Sequence, residues 1–144
     1  RAPPLCRAGA VRDDSEPDRE LGSIIAVVAT DAPLLPHQLK RIATRVSLGL
    51  GRVGSYASNG SGDIFIAFST ANANTAMAGD SAQLTMLSNA RISSLFLATV
   101  QATEEAIVNA MLASDTMTGA DNFRVYGLPA SRVMDALRKY GRLK

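Results

Sequence analysis

Two short apolar runs constrain the fold of this chain more than any other feature. Ile24–Ala29 and Ile64–Phe68 are rich in β-branched and aromatic residues, and turn-forming residues follow each run. Continuous apolar runs of this length are typical of buried strands. Between them, a helix that begins at Pro36 is predicted to run for about four turns, because apolar residues recur at three- and four-residue intervals up to Gly49 or Gly51. Its apolar stripe is Leu39, Ile42, Ala43, Val46 and Leu50.

The second half of the chain predicts two more helices and a strand. A long helix is expected over 93–113, with Glu104 and Glu105 on its solvated face, and Ala130–Tyr140 is a closing helix after a short strand at Val125–Leu128. The order strand, helix, strand, long helix, short strand, helix indicates a layered α/β domain. The buried lines expected on the long helix are Leu95, Thr99, Ala102, Ala106, Ala110 and Leu97, Val100, Ile107, Met111, and Val133, Leu137 and Tyr140 share one face of the last helix.

Composition excludes several classes of protein. The 144 residues fit one globular domain, and the net charge of +2 is dispersed, so we expect no nucleic-acid partner. No apolar run is long enough to span a bilayer, so no membrane partner is expected. Cys6 is the only cysteine, which rules out an intrachain disulfide and leaves the redox compartment open. We expect a cytoplasmic protein, with the periplasm as the alternative.

The character of the chain changes at Gly22-Ser23. Residues 1–21 carry prolines and clustered charges with little apolar periodicity, which is typical of a linker or tail. A serine that follows glycine at the start of a strand has the parts for self-cleavage, in which its hydroxyl attacks the preceding carbonyl. The freed α-amine, with an ordinary pKa of roughly 8, can then act as the base. An ordinary loop-to-strand junction is the alternative interpretation.

A second candidate motif, Asn59-Gly60-Ser61-Gly62-Asp63, precedes the second strand. The flanking glycines let the backbone come close to another element. Ser61 and Asp63 point the same way from an extended chain, so they can orient a neighbouring amine and stabilise its positive charge. The alternative is a tight turn in which Asp63 is a solvated or capping group.

The other polar residues are weaker candidates for a catalytic or metal-binding role. His37 is the only histidine, and its place at a helix start favours a surface or capping role over a Ser-His-Asp triad. A zinc site would lack enough nitrogen or sulfur ligands. Asp31, at the end of the first strand, is expected to have a turn role.

Several longer stretches of sequence, in order along the chain from Gly22 onward, resemble one known family. Taken together they are more specific than any single motif. They are Gly22–Ile25, Ala29–Arg41, Ser47–Gly49, Gly60–Asp63, Ala67–Asn72, Ala102–Ala106, Met117–Gly119 and Arg124–Tyr126. Together they resemble the β-subunit of the DmpA-type aminopeptidases, a family that includes the L-aminopeptidase/D-esterases and the β-peptidyl aminopeptidases.

The resemblance implies an αββα sandwich of the DmpA and ornithine acetyltransferase type, processed by self-cleavage between Gly22 and Ser23. Residues 1–22 would be the tail of an α-subunit, and residues 23–144 the β-subunit part of the peptidase domain. Ser23 would be the nucleophile, supported by Ser61 and Asp63. Some relatives have Glu in place of Asp63, and the shorter side chain would need a closer approach.

The activity implied is that of a self-processing N-terminal-serine aminopeptidase or amidase. It would release N-terminal residues from small peptides, amides or esters through an acyl-enzyme, with no metal or organic cofactor. An α-subunit from the same precursor would supply much of the substrate pocket and the oxyanion donors. The sheet of the β-subunit alone would leave an apolar face uncovered, so we expect both this α-subunit and a homo-oligomer of αβ units. The alternatives are an acyltransferase of the ornithine acetyltransferase type, whose members generally have Thr at the junction, and an inactive, truncated assembly subunit.

Overall fold

The computed structural model describes the backbone of residues 6–8 and then residues 22–73, 75–77, 79–122 and 124–143, without the side chain at position 76. These residues form two compact units, the larger within Asp18–Glu105 and the smaller within Arg1–Pro17 and Ala106–Lys144. The elements of the larger unit are strands β2 (Ile25–Thr30) and β3 (Ile64–Ser69), helices α1 (Pro36–Ala43) and α2 (Val46–Arg52), and the start of α3 (Ser93–Leu112). The smaller unit holds the end of α3, strands β1 (Cys6–Ala8), β4 (Met117–Thr118) and β5 (Arg124–Val125), and helix α4 (Ala130–Lys139).

The two predicted strands pair in parallel in the larger unit. The register runs from Ile25 opposite Ile64 to Thr30 opposite Ser69. Side chains alternate along each strand, and one face of the pair packs towards a core that centres on Leu34, Ile42 and Ile92. The other face is exposed in the described residues. Both strands lie within one residue of their predicted bounds.

The prediction of a single helix from Pro36 is wrong in one respect, because the chain forms two helices with a break at Thr44 and Arg45. Side chains cause the break. The Thr44 hydroxyl donates to the Arg41 carbonyl at 2.9 Å, and the Arg45 guanidinium donates to the same oxygen at 3.2 Å. The Arg45 N–H therefore bonds to the Ile42 carbonyl instead, which tightens the turn.

Helix α3 has nearly its predicted length, but the prediction of which residues it buries is partly wrong. Thr99 and Thr103 are buried, whereas Leu97 is 55% exposed and Met111 is 45% exposed. Helix α2 packs on the threonine line because it has glycine at position 49, where a Cβ would lie 2.6 Å from the Thr103 Cβ. Ala102, Ala106 and Ala110 are also exposed, while Leu95, Val100 and Ile107 are partly buried as predicted.

Glu104 departs from the solvated role predicted for it. Its carboxylate forms an ion pair with the Arg52 guanidinium at 2.6 Å, and its side chain is 34% exposed. The pair joins the end of α2 to α3 next to the Gly49 contact. Glu105 is exposed, as predicted.

The smaller unit contains a three-stranded sheet in which β5 lies between β1 and β4, antiparallel to both. Strand β1 corrects the prediction of a linker at residues 6–8, because ladder hydrogen bonds need no apolar periodicity. Strand β5 ends earlier than predicted, since the Gly127 N–H turns to the Thr116 hydroxyl at 3.1 Å. Helix α4 follows as predicted, and Val133, Leu137 and Tyr140 line one cleft of about 420 Å³.

Candidate active site

The structure brings together the three residues singled out from the sequence. Because β2 and β3 are parallel, the segments that precede them meet at the same edge of the sheet. Ser23 lies two residues before the first paired residue of β2, and Ser61 and Asp63 precede the second strand. The pairing extends to this edge, since the Ile64 N–H donates to the Ile24 carbonyl at 2.9 Å.

The Ser23 hydroxyl is held by the backbone of the opposite segment. The Gly62 N–H donates to the Ser23 Oγ at 2.9 Å. A Cβ at position 62 would lie 3.4 Å from this oxygen, in ordinary van der Waals contact, so glycine leaves the space next to the hydroxyl open. The flanking glycines of the motif predicted such a close approach of backbone to another element, and Gly62 is the one that makes it.

Asp63 connects the two segments through one oxygen. Its Oδ1 accepts a hydrogen bond from the Ser61 hydroxyl at 2.6 Å and another from the Ile24 N–H at 3.1 Å. The short aspartate side chain therefore reaches the backbone one residue beyond Ser23. The two-residue spacing of Ser61 and Asp63 predicted that they share a side of the chain, but no sequence signal identifies Ile24, since every non-proline residue carries an N–H.

A tight turn positions Ser61. Its N–H donates to the Ser58 carbonyl at 2.9 Å. Ala57, just before the turn, has a φ of 51°, a left-handed conformation that costs a non-glycine residue about 1 kcal/mol. The Ser58 hydroxyl is buried and has no hydrogen-bond partner among the described residues. The turn thus holds backbone strain directly beside the candidate site.

The site residues lie on different faces of the strand pair. Ser23 is exposed on the open face, together with Ile25, whereas Ile24, Ser61 and Asp63 alternate onto the half-buried side. The backbone N–H groups of Ile24 and Gly62 connect the two sides. The hydroxyl therefore faces open space while the carboxylate is sheltered, an arrangement that suits a nucleophile with a supporting anion.

The other polar candidates lie elsewhere. Asp31 is exposed and follows the far end of β2, a six-residue strand that spans roughly 20 Å. His37 is exposed in the first turn of α1, which starts from that same far end. In the part of the chain that the structure describes, no cluster of His, Cys, Asp and Glu has the arrangement of a metal site. None of the described helices is long and apolar enough to cross a membrane.

The chain is similar to known proteins over most of its length. The model of peptidase family S58 matches residues 5–125. A beta-peptidyl aminopeptidase from Sphingosinicella microcystinivorans is 51% identical over 123 residues, which are 85% of this chain and 31% of that protein. The chain spans about a third of the length of the curated relatives it matches.

Solved structures agree with the sequence matches. The L-aminopeptidase D-Ala-esterase/amidase of Ochrobactrum anthropi is described as a prototype of the serine aminopeptidases and a new variant of the Ntn hydrolase fold. It matches 85% of this chain and 35% of its own, with a TM-score of 0.75 and 46% identity. A Burkholderia sp. beta-aminopeptidase matches 84% of this chain and 36% of its own, with a TM-score of 0.71 and 46% identity. The predicted α/β fold of the DmpA-type family is therefore confirmed.

Proposed function

We propose that this chain, which belongs to peptidase family S58, carries the nucleophile of a self-processing serine aminopeptidase. In this proposal the precursor is cut between Gly22 and Ser23. Residues 1–22 belong to the α-subunit side of the cut, and residues 23–144 to the β-subunit side. The observation that carries the proposal is the hydrogen bond from the Gly62 N–H to the Ser23 Oγ at 2.9 Å.

Processing would convert a peptide bond into an ester and then into two chain ends. The Ser23 Oγ attacks the Gly22 carbonyl carbon, and the C–N bond breaks as the Ser23 nitrogen gains a proton. Water then hydrolyses the ester, which leaves a carboxylate on Gly22 and a free amine on Ser23. A Cβ added at Gly22 would meet no other described residue within 4 Å, apart from its chain neighbours, so the residue before the cut is not crowded on that side.

The Gly62 N–H would assist the steps in which charge collects on the nucleophile. A backbone donor fixed at hydrogen-bond distance stabilises the alkoxide that develops when the ester of Ser23 breaks, and it needs no reorganisation to do so. The bond occupies one lone pair of the Oγ. The other lone pair is left for attack on an acyl carbon.

Asp63 and Ser61 would support the new amine. The Asp63 Oδ1 bonds to the N–H of Ile24, the residue after Ser23, so a carboxylate lies close to the nitrogen that cleavage frees. Its negative charge stabilises the ammonium that forms when this amine takes the proton from the hydroxyl or the attacking water. The Ser61 hydroxyl, which donates to Asp63 at 2.6 Å, keeps lone pairs that can accept from the ammonium.

The substrates proposed are small peptides, amides or esters whose N-terminal residue becomes the acyl group on Ser23. The matched relatives are named as aminopeptidases, which favours water over a second amine as the final acceptor. Acetyl transfer to ornithine is correspondingly not favoured. No step of this chemistry requires a metal or an organic cofactor.

An α-subunit from the same precursor is the partner proposed for the open face of the strand pair. The chain covers about a third of its relatives, so their remaining length is available to form a second layer. Assembly of αβ units into a homo-oligomer is part of the same proposal. The exposed apolar side chains of this face are Ile25, Val27, Ile64, Ile66 and Phe68.

The test is a nucleophile substitution in the full-length protein that contains this chain. Ser23→Ala should block processing and lower the hydrolysis of aminoacyl-p-nitroanilides by roughly 10⁴-fold or more, because no other group takes its covalent role. Ser47→Ala, an exposed serine on α2, is the matched control and should retain full activity. Full turnover by Ser23→Ala would overturn the proposal. Transfer of acetyl to ornithine without hydrolysis would favour the acyltransferase, and an inert wild-type protein would favour an assembly role.

A further inference from the structure

We infer that strand β1 stays paired with β5 after processing, so that the tail of the α-subunit is bound as an added strand in a sheet of the β-subunit. The inference rests on the proposed function, because only a cut between Gly22 and Ser23 turns this strand pair into a contact between two chains. It deepens that function by naming the two segments through which the products of the cut remain associated.

The three-stranded sheet of the smaller unit contains strands from both sides of the proposed cut. Strand β1 lies before Gly22 in the sequence, whereas β4 and β5 lie after Ser23. The strand order is β1-β5-β4, and β1 is antiparallel to β5, with Cys6 opposite Val125. Hydrolysis of one peptide bond outside these strands breaks none of the hydrogen bonds between them. The same pairing would therefore join one chain before the cut and two chains after it.

Strand β5 depends on β1 for one of its two edges. On its other side it pairs with β4 over only two residue pairs, Met117 with Val125 and Thr118 with Arg124. A two-stranded hairpin alone is marginally stable in water, and a third strand contributes to independent stability. Without β1, the backbone N–H and C=O groups on that side of β5 would lie at an open edge. We therefore expect the processed protein to retain β1 in the sheet.

The pairing of β1 with β5 has a defined register. Cys6 is opposite Val125 and Ala8 is opposite Arg124, so the ladder steps by two residues along β1 and by one along β5. Such a shift is characteristic of a β-bulge, which fixes the register of a strand pair. A specific contact between two chains needs a fixed register of this kind.

The family match includes both partners of this pairing. The model of peptidase family S58 covers residues 5–125, so it begins directly before β1 and ends within β5. Segments on both sides of the proposed cut are thus parts of the domain that the family shares. This favours a structural role for β1 within that domain over an appended tail.

The test is a disulfide between the two paired strands. Val125→Cys introduces a thiol at the position opposite Cys6. Residues directly opposite on antiparallel strands have Cα atoms roughly 4.5–5.5 Å apart, which is within the range that a disulfide spans. After mild oxidation of the processed full-length protein, we expect most of the two chains to migrate as one species without reductant and as two with it. Peptide mapping by mass spectrometry should place the link between positions 6 and 125.

Met117→Cys is the matched control. Met117 is also opposite Val125, but on the β4 side, so it lies two strand spacings, roughly 10 Å, from Cys6 and should give no link. Adding Cys6→Ser to Val125→Cys should abolish the link, because it removes the thiol on β1. If Val125→Cys does not fold, Ala8→Cys with Arg124→Cys in a Cys6→Ser background tests the second pair of the same ladder.

The outcomes separate this inference from the function on which it rests. Protein that is cut before Ser23 but forms neither link, or that links Met117→Cys to Cys6 instead, would overturn the inference and leave the proposed function intact. Wild-type protein that is not cut would overturn the proposed function, and with it the contact between two chains. In that case a link between positions 6 and 125 would form within one chain and would still report the strand pair, so the two failures differ.

Discussion

The Asp63 carboxylate accepts the backbone N–H of Ile24 at 3.1 Å, which ties the candidate supporting anion to the segment that leads from the nucleophile into β2. The same oxygen accepts the Ser61 hydroxyl at 2.6 Å. One side chain thus fixes the register of two segments and brings negative charge to the point where processing would create an amine. Asp63 thus has two roles, one in holding the two segments together and one in supplying negative charge.

Asp63→Asn should separate these two roles. The asparagine oxygen can still accept the Ile24 N–H, but the hydrogen bonds to this side chain are no longer strengthened by a negative charge. We therefore expect the free energy of unfolding to fall by only about 1–2 kcal/mol. Loss of the charge should reduce the rates of processing and hydrolysis by about 10²–10⁴-fold. The measurements are denaturant unfolding and p-nitroaniline release. Asp31→Asn, an exposed carboxylate at the far end of β2, should change neither, and full activity of Asp63→Asn would show that the charge has no catalytic part.

Gly62→Ala should impair chemistry with little effect on the fold. The added Cβ would lie 3.4 Å from the Ser23 Oγ, an ordinary contact in the resting protein that crowds a bound acyl group. Because small displacements at a reacting centre are costly, we expect hydrolysis to slow by about 10²-fold. Gly51→Ala is the control, as a Cβ there meets nothing within 4 Å. Equal turnover by the two variants would argue against the close approach at Gly62.

Gly49 and Gly51 offer a matched pair for the packing of α2. Gly49→Ala would place its Cβ 2.6 Å from the Thr103 Cβ, so we expect a loss of about 1–3 kcal/mol in the free energy of unfolding. Gly51→Ala, in open space on the same helix, should increase it by about 0.5–1 kcal/mol. Chemical denaturation measures both. Opposite signs confirm the contact, and two stabilising substitutions would contradict it.

Gln38 is a fully buried polar side chain in α1, and its hydrogen bonds hold the segment before α3. Its Nε2 donates to the Leu87 carbonyl at 2.8 Å and to the Asn89 side chain at 3.0 Å, and its Oε1 accepts the Leu35 N–H at 3.1 Å. Gln38→Leu should destabilise the protein by about 1–3 kcal/mol for each buried group left without a partner. Thermal unfolding should show a lower midpoint. The exposed neighbour His37, replaced by alanine, should shift it little.

Strands β2 and β3 and helices α3 and α4 could be predicted because their signals are local. Ile64–Phe68 is apolar throughout, and α4 begins and ends within one residue of its predicted bounds. The break at Thr44 could not be predicted, since two side chains that bond to the carbonyl of Arg41 decide it and the apolar stripe passes through unchanged. Gln38 is similar, because its burial depends on partners about 50 residues away.

The candidate site could also be predicted only in part. Ser23, Ser61 and Asp63 follow from the junction, the glycine-rich motif and the resemblance to a family, and the parallel pairing of β2 and β3 brings them to one edge. Roles for the Ile24 and Gly62 backbone donors depend on the register between two strands. Register is a property of the pair and cannot be deduced from either segment alone.

The most direct test of the central claim is the identity of the N-terminus that the full-length protein generates near neutral pH, determined by mass spectrometry. We expect a polypeptide that begins with Ser23-Ile24-Ile25 in the wild type, and an uncut chain in Ser23→Ala. An active wild-type protein in which the bond between Gly22 and Ser23 remains intact would contradict the claim that Ser23 becomes both the N-terminus and the nucleophile.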